Sequence, residues 1–202
     1  MKRTVKLAVA VVAALALGVG TASANHLSLS STGFRVVFGE GELPRHIICP
    51  LTLEGSFHSS TFAKVPGSLI GYVTRAVMDE EACNGGRARW LTATLPWHIL
   101  YGGFTGALPN ITSITTAMIG VSVLFTFPEL GELSCLYRTD MRTPAINIWT
   151  REFGGRISSF RFSENERIAG TGSPFCPTYN LIGTTPRVTE LETTNSIVLT
   201  LI

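Results

Sequence analysis

Apolar side chains recur at every second position in several separate stretches of this 202-residue chain. The clearest stretch is IGVSVLFTF, residues 119–127, where one side of an extended chain carries only isoleucine, valine and phenylalanine. The other side carries glycine, serine and threonine, with Leu124 as the exception. Because successive side chains of a β-strand point to opposite faces of the sheet, this alternation predicts a strand with one buried face.

Three further segments alternate in the same way: FRVVF at residues 34–38, IICPLTL at 47–53 and SIVLTLI at 196–202. Turns rich in glycine, asparagine and proline separate the apolar runs. The stretch GYVTRAVMDEEAC, residues 71–83, fits both helical and strand periodicity, and we favour a strand because its neighbours are strands. Many short strands between frequent turns predict an all-β fold, a single antiparallel β-sandwich or small barrel.

The first 24 residues have the organisation of a signal peptide. Three basic residues precede an apolar run that extends from Leu7 to Val19, and the segment ends on Ala22-Ser23-Ala24. The apolar run is shorter than the roughly 20 residues that a bilayer-spanning helix needs, so a retained anchor is the less favoured alternative. We expect residues 1–24 to be a signal peptide and residues 25–202 to form one β-sandwich domain without a membrane span. The expected location is secreted, extracellular or at the cell surface.

Charge gives no indication of a nucleic-acid partner. The chain has 16 Lys and Arg against 14 Asp and Glu, but three of the basic residues belong to the signal peptide. Residues 25–202 therefore carry a formal charge of −1 and contain no basic cluster of the kind that binds phosphates. Lys64 is the single lysine of this region, a bias towards arginine that suggests a GC-rich bacterial source.

The four cysteines all follow the signal peptide: Cys49, Cys83, Cys135 and Cys176. An even number of cysteines in an exported chain predicts disulfides, for which three pairings are possible. We favour Cys49–Cys83 and Cys135–Cys176, because each bond then closes a loop within one half of the chain. No CxxC motif is present, and we expect neither a metal site nor a cofactor.

The densest aromatic stretch is RWLTATLPWHILYGGFTGALPNIT, residues 89–112. Strand alternation places Trp97 and Tyr101 on an apolar face, where a tryptophan is a common packing element of a sandwich core. Trp90 and His98 fall on the opposite, mixed face, which makes them the candidates for ligand binding. Proline lacks a backbone donor, so Pro96 predicts an edge strand or a break in the strand.

Motifs of the common hydrolases are missing: the sequence contains neither HExxH nor GxSxG, and we assign no catalytic residue. Two functional hypotheses remain open, and so does the question of whether the chain is an enzyme. The first is a secreted or cell-surface non-enzymatic β-sandwich protein with a structural or binding role and an extracellular ligand. The second is a secreted hydrolase with a loop-built site involving His58 or His98, since catalytic triads assemble from distant positions.

Two segments resemble a group of small exported bacterial proteins of uncharacterised function. They are CPLTLEGSFHSSTFAKVPGSLIG at residues 49–71 and LPWHILYGGFTGALPNIT at 95–112, together with the late alternating strands. Proteins of this group have a signal peptide, a cysteine near a GSFH-like turn and an LPW tripeptide. The resemblance implies an all-β domain and export, and it implies no catalytic residue.

Overall fold

The computed structural model describes residues 26–43, 47–81, 83–107, 110–152, 154–163, 167–179, 183–185 and 188–201. The predicted signal peptide, residues 1–24, lies outside this part of the chain. Strands dominate the described residues, where the helical elements are single 3-10 turns at Thr92–Thr94 and Pro128–Leu130. None of the described helices is long and apolar enough to cross a membrane.

The strands are numbered in chain order as follows: β1 (His26–Leu29), β2 (Gly33–Leu43), β3 (Ile47–Phe57), β4 (Thr61–Ala63), β5 (Leu69–Met78), β6 (Arg87–Trp90), β7 (Trp97–Ala107), β8 (Asn110–Ile119), β9 (Ser122–Phe127), β10 (Leu133–Arg138), β11 (Ala145–Arg151), β12 (Ile157–Phe162), β13 (Ile168–Thr171), β14 (Thr178–Tyr179), β15 (Thr184–Thr185), β16 (Val188–Glu190) and β17 (Leu199–Leu201). The ambiguous stretch at residues 71–83 is a strand for most of its length, within β5, as favoured from the sequence.

The largest sheet is antiparallel and follows the order β15-β12-β11-β8-β7-β5-β3-β2-β16. Its two outermost strands, β15 and β16, are short and consecutive in the chain, so they bring the two ends of the sheet together. β15 also lies close to β2. The sheet is thus nearly closed into a barrel, and the predicted all-β fold is confirmed.

Two smaller sheets complete the fold, one with the order β14-β13-β10-β9-β6 and the other with the order β17-β1-β4. The alternating segment 119–127 contributes to two different sheets, which the sequence did not predict. Ile119 ends β8 in the large sheet, and β9 begins at Ser122 in the five-stranded sheet. Gly120 forms the turn between them with a φ of 86°, a conformation that glycine adopts without steric cost.

Aromatic side chains fill the interior of the barrel. The ring of Trp149 on β11 meets Phe34 on β2 and Phe160 on β12 edge to face, with centroids 5.4 and 4.7 Å apart. Phe38 on β2 meets Phe160 in the same way at 5.7 Å. β2 and β11 stand far apart in the order of the sheet, but closure brings its two ends together, so these interior contacts join the strands on either side of the closure. The indole N–H of Trp149 donates to Thr116 Oγ1 over 2.8 Å, so this buried polar group has a partner.

Both favoured disulfides are confirmed. Cys49 of β3 is joined to Cys83, which precedes β6, and Cys135 of β10 is joined to Cys176, which follows β13. The first bond therefore ties the large sheet to the chain that enters the five-stranded sheet. The second lies within the five-stranded part of the molecule.

An ion-pair network lies on the outer face of the barrel. The Glu54 side chain on β3 is largely buried between Arg35 of β2 and Arg75 of β5, at 2.7 and 3.0 Å. Burial alone would raise the pKa of Glu54, but the hydrogen bonds and charges of the two arginines outweigh it and lower that pKa. The ionised form of the Glu54 side chain therefore stabilises the folded state.

The first prediction concerns the disulfides, which span 34 and 41 residues. Removing either one, as Cys49→Ala with Cys83→Ala or as Cys135→Ala with Cys176→Ala, is expected to destabilise the fold by about 4 kcal/mol. The physical reason is that an unfolded chain without the cross-link has a greater conformational entropy. For a domain of this size the loss corresponds to a fall in melting temperature of about 8–16 °C, measured by calorimetry. Non-reduced peptide mapping that finds any other pairing would contradict the structure.

The second prediction concerns Glu54. Because its pKa is lower in the folded state than its ordinary value of 4.5, its contribution to stability is present above that value. The contribution is lost as the pH falls through the folded-state pKa. Glu54→Gln should reduce the free energy of unfolding by about 1–3 kcal/mol at pH 7 and flatten its decline in acid, measured by urea denaturation.

Glu132→Gln is the matched control for this measurement, because Glu132 pairs with Arg87 where both side chains are exposed. Exposed pairs contribute about 0–1 kcal/mol. If both variants showed the same pH dependence, the role assigned to Glu54 would be refuted.

Candidate functional site

Four residues form a row across the outer face of the barrel. Gly33 of β2 pairs with Ser56 of β3, Ser56 pairs with Tyr72 of β5, and Tyr72 pairs with His98 of β7. Directly opposed residues of antiparallel strands share one face, with Cβ atoms about 5 Å apart. The chain neighbours of the last three are buried, so these side chains face outward. We call Gly33, Ser56, Tyr72 and His98 the outer row.

Tyr72 brings the two predicted histidines together. Its ring centroid lies 4.7 Å from that of His58 and 5.1 Å from that of His98. His58 follows β3, and its backbone N–H donates to the carbonyl of Ile70, which holds it beside β5. Both histidines are exposed and Tyr72 is half-buried between them. The interplanar angles of 43° and 62° show that the three rings are not coplanar.

A groove of about 390 Å³ lies at the other end of the outer row. We call it the hydroxyl groove, and the residues that line it are Ser31, Thr32, Gly33, Ser56, Glu190, Leu191, Glu192 and Thr193. The segment after β16 forms one side of it, where the Leu191 N–H donates to the Gly33 carbonyl over 3.2 Å. A Cβ on Gly33 would lie only 2.9 Å from the Leu191 Cβ, so glycine lets this segment approach β2.

Some polar groups of the groove are hydrogen-bonded within the protein, and others are not. The Glu190 carboxylate accepts hydrogen bonds from Ser30 Oγ at 3.3 Å and from Thr193 Oγ1 at 2.8 Å. The hydroxyls of Thr32 and Ser56 make no hydrogen bond to any other residue that the structure describes. These two hydroxyls are therefore open to a ligand in the groove.

Trp90, the other binding candidate, is separated from His98. It ends β6 in the five-stranded sheet, is 5% exposed and packs against Trp97 with ring centroids 5.1 Å apart. The prediction that Trp97 and Tyr101 face the core is confirmed. Strand alternation does not continue from Trp90 to Trp97, because the 3-10 turn at Thr92–Thr94 interrupts it, so Trp90 is buried as well.

The two histidines lack the partners that hydrolysis requires, as far as the described residues show. Neither ring has a hydrogen bond or ion pair within that part of the chain. Ser56 and His98 lie two strands apart in the outer row, a separation of about 10 Å, whereas proton transfer needs about 3 Å. The described residues also contain no group of three metal-ligating side chains. The arrangement is suited to ring contacts and hydrogen bonds with a bound molecule.

Sequence reasoning did not select Tyr72, although it is the ring that joins the two histidines. Its partners in the outer row lie on other strands, and their pairing depends on long-range register. The only local signal was a large aromatic residue within a strand-like run.

Comparisons of the chain with protein-family models, with curated proteins and with solved structures gave no match. The fold and the site themselves define an all-β, disulfide-bonded protein with an aromatic and hydroxyl-rich outer surface.

The third prediction separates the core tryptophan from the surface tyrosine. Trp90→Ala should lower the free energy of unfolding by about 3–5 kcal/mol, since it leaves a cavity beside Trp97. Tyr72→Ala should change it by about 1 kcal/mol or less, because Tyr72 lies on the outer face. Both free energies of unfolding are to be measured by guanidinium denaturation, with tryptophan fluorescence as the signal. The reverse order of the two losses would refute the placement of these side chains.

Proposed function

We propose that this chain is a secreted or cell-surface protein without enzymatic activity that binds an extracellular ligand through the outer row and the hydroxyl groove. The observation that carries the proposal is the position of Tyr72 between two exposed histidine rings, beside a groove with open hydroxyls.

Export is supported by two features. Residues 1–24 have the order of charge, apolar run and small residues that signal peptidase recognises. The two disulfides are typical of proteins that work in an oxidising compartment. A nucleic-acid partner is not part of the proposal, because the groove is lined by two glutamates and residues 25–202 have a net negative charge.

The alternative function is a hydrolase that uses His58 or His98. In its favour, both histidines are exposed and lie on the same face as the Ser56 hydroxyl. Against it stands the absence of a proton acceptor or donor for either ring among the described residues, and the wide separation of Ser56 from His98.

The fourth prediction tests this choice. The exported protein and a variant carrying His58→Ala and His98→Ala are incubated with chromogenic ester, glycoside and peptide substrates. We expect equal, background rates for both proteins, because neither ring is part of a nucleophile and base pair. Turnover that is lost in the double variant would establish the hydrolase instead.

A positive test of binding accompanies the rate measurement. The same two proteins are applied to glycan arrays and to peptide arrays. We expect the exported protein to bind one of the two arrays and the double variant to bind it more weakly. If neither array retained the exported protein, the binding role would be refuted.

A further inference from the structure

Building on the proposed binding role, we propose that the outer row and the hydroxyl groove bind a neutral carbohydrate chain. Sugars present two kinds of surface to a protein: apolar C–H faces, and hydroxyls that both donate and accept hydrogen bonds. The site offers aromatic rings for the C–H faces at one end and polar groups for the sugar hydroxyls at the other. The Ser56 hydroxyl lies between the two ends.

The aromatic end consists of Tyr72 with His58 and His98 on either side. A pyranose ring places its C–H groups against the negative face of an aromatic ring, a contact that buries apolar area without desolvating a charge. Because the three rings are tilted by 43° and 62°, they do not form a flat platform. This geometry fits a single sugar unit of a soluble chain and not the plane of a crystalline polysaccharide.

The polar end supplies hydrogen-bond partners for sugar hydroxyls. Carboxylates accept hydrogen bonds from hydroxyl donors strongly, and Glu192 is an exposed carboxylate residue among those that line the groove. The open hydroxyls of Thr32 and Ser56 can donate as well as accept. Ser56 belongs both to the groove and to the outer row, next to Tyr72, so the two ends form one continuous surface.

The charge of the site argues against anionic ligands. No lysine or arginine is among the described residues that line the groove, which include two glutamates. Arg35 and Arg75 lie near the outer row and share the single carboxylate of Glu54, which leaves one net positive charge there. The two glutamates that line the groove outweigh this one positive charge, so a polyanion would meet a net negative charge at the site.

The topology argues against an extended peptide. Peptides that add to a sheet do so at a free strand edge, through main-chain hydrogen bonds. The outer row crosses β2, β3, β5 and β7, each of which is paired on both sides within the large sheet. Three inter-strand spacings make the row about 14 Å long, which suits a short oligosaccharide lying across the strands.

The fifth prediction is that the exported protein, residues 25–202, binds a soluble neutral oligosaccharide. The ligands to be tested by calorimetry are the hexasaccharides of cellulose, chitin, starch and laminarin. Tyr72→Ala should weaken the binding of the recognised hexamer by about tenfold or more, since it removes the stacking ring. Tyr72→Phe should retain binding within about threefold, because the ring remains. Val77→Ala is the matched control, an exposed residue of the same strand that should leave affinity unchanged.

Further probes distinguish the ligand classes. Polygalacturonate and dextran sulfate are expected not to bind, and crystalline cellulose is expected to bind more weakly than the soluble hexamers. Thermal unfolding of each variant confirms that it is folded before its affinity is compared.

Failure of this inference is separable from failure of the proposed function. If none of the four hexamers bound while the peptide array retained the protein, the carbohydrate assignment would be overturned and the binding role would stand. Equal affinities of wild type and Tyr72→Ala would place the sugar elsewhere and overturn the assignment. Release of reducing ends from a hexamer, absent in the His58→Ala and His98→Ala variant, would overturn the non-enzymatic role proposed above, while the neutral-carbohydrate assignment would stand.

Discussion

The ring contacts in the barrel interior are the interaction on which the rest of the structure depends. Trp149 and Phe160 near one end of the large sheet meet Phe34 and Phe38 near its other end, so the interior side chains hold the two ends of the sheet together. A strand that slipped by one residue would turn its inner side chains to the solvent. These large buried rings therefore fix the register of β2, β11 and β12, and register decides what the outer face presents.

The outer row is a consequence of that inner packing. Tyr72 lies between the buried residues Gly71 and Val73, and His98 lies between Trp97 and Ile99. Gly71 is also a close-contact position, because a Cβ there would lie 2.6 Å from the Ser56 carbonyl oxygen. The absence of a side chain at this position lets β3 and β5 pair closely at the level of the row. The alignment of Ser56, Tyr72 and His98 thus needs no interaction of its own beyond the pairing of the strands.

The alternation of apolar and polar residues along the sequence predicted those parts of the fold that depend only on neighbouring residues of one strand. The all-β class, the strand at β5 and the burial of Trp97 and Tyr101 follow from alternation, and the cysteine pairing follows from loop closure. The same reasoning missed the turn at Gly120, because alternation of apolar residues continues through it from one sheet to the next. It also missed the outer row, whose members meet only after β3, β5 and β7 have paired.

The segment that closes the barrel also forms one side of the hydroxyl groove. β16 pairs with β2 through Glu190 and Phe34, and the chain then continues directly over Gly33. The short strands β15 and β16 that bring the ends of the sheet together thus deliver residues 190–193 to the hydroxyl groove. Neither disulfide lies in this segment, so the groove is held by strand pairing and by the close approach at Gly33. The groove end of the surface that we assign to ligand binding therefore exists only where the two ends of the sheet meet.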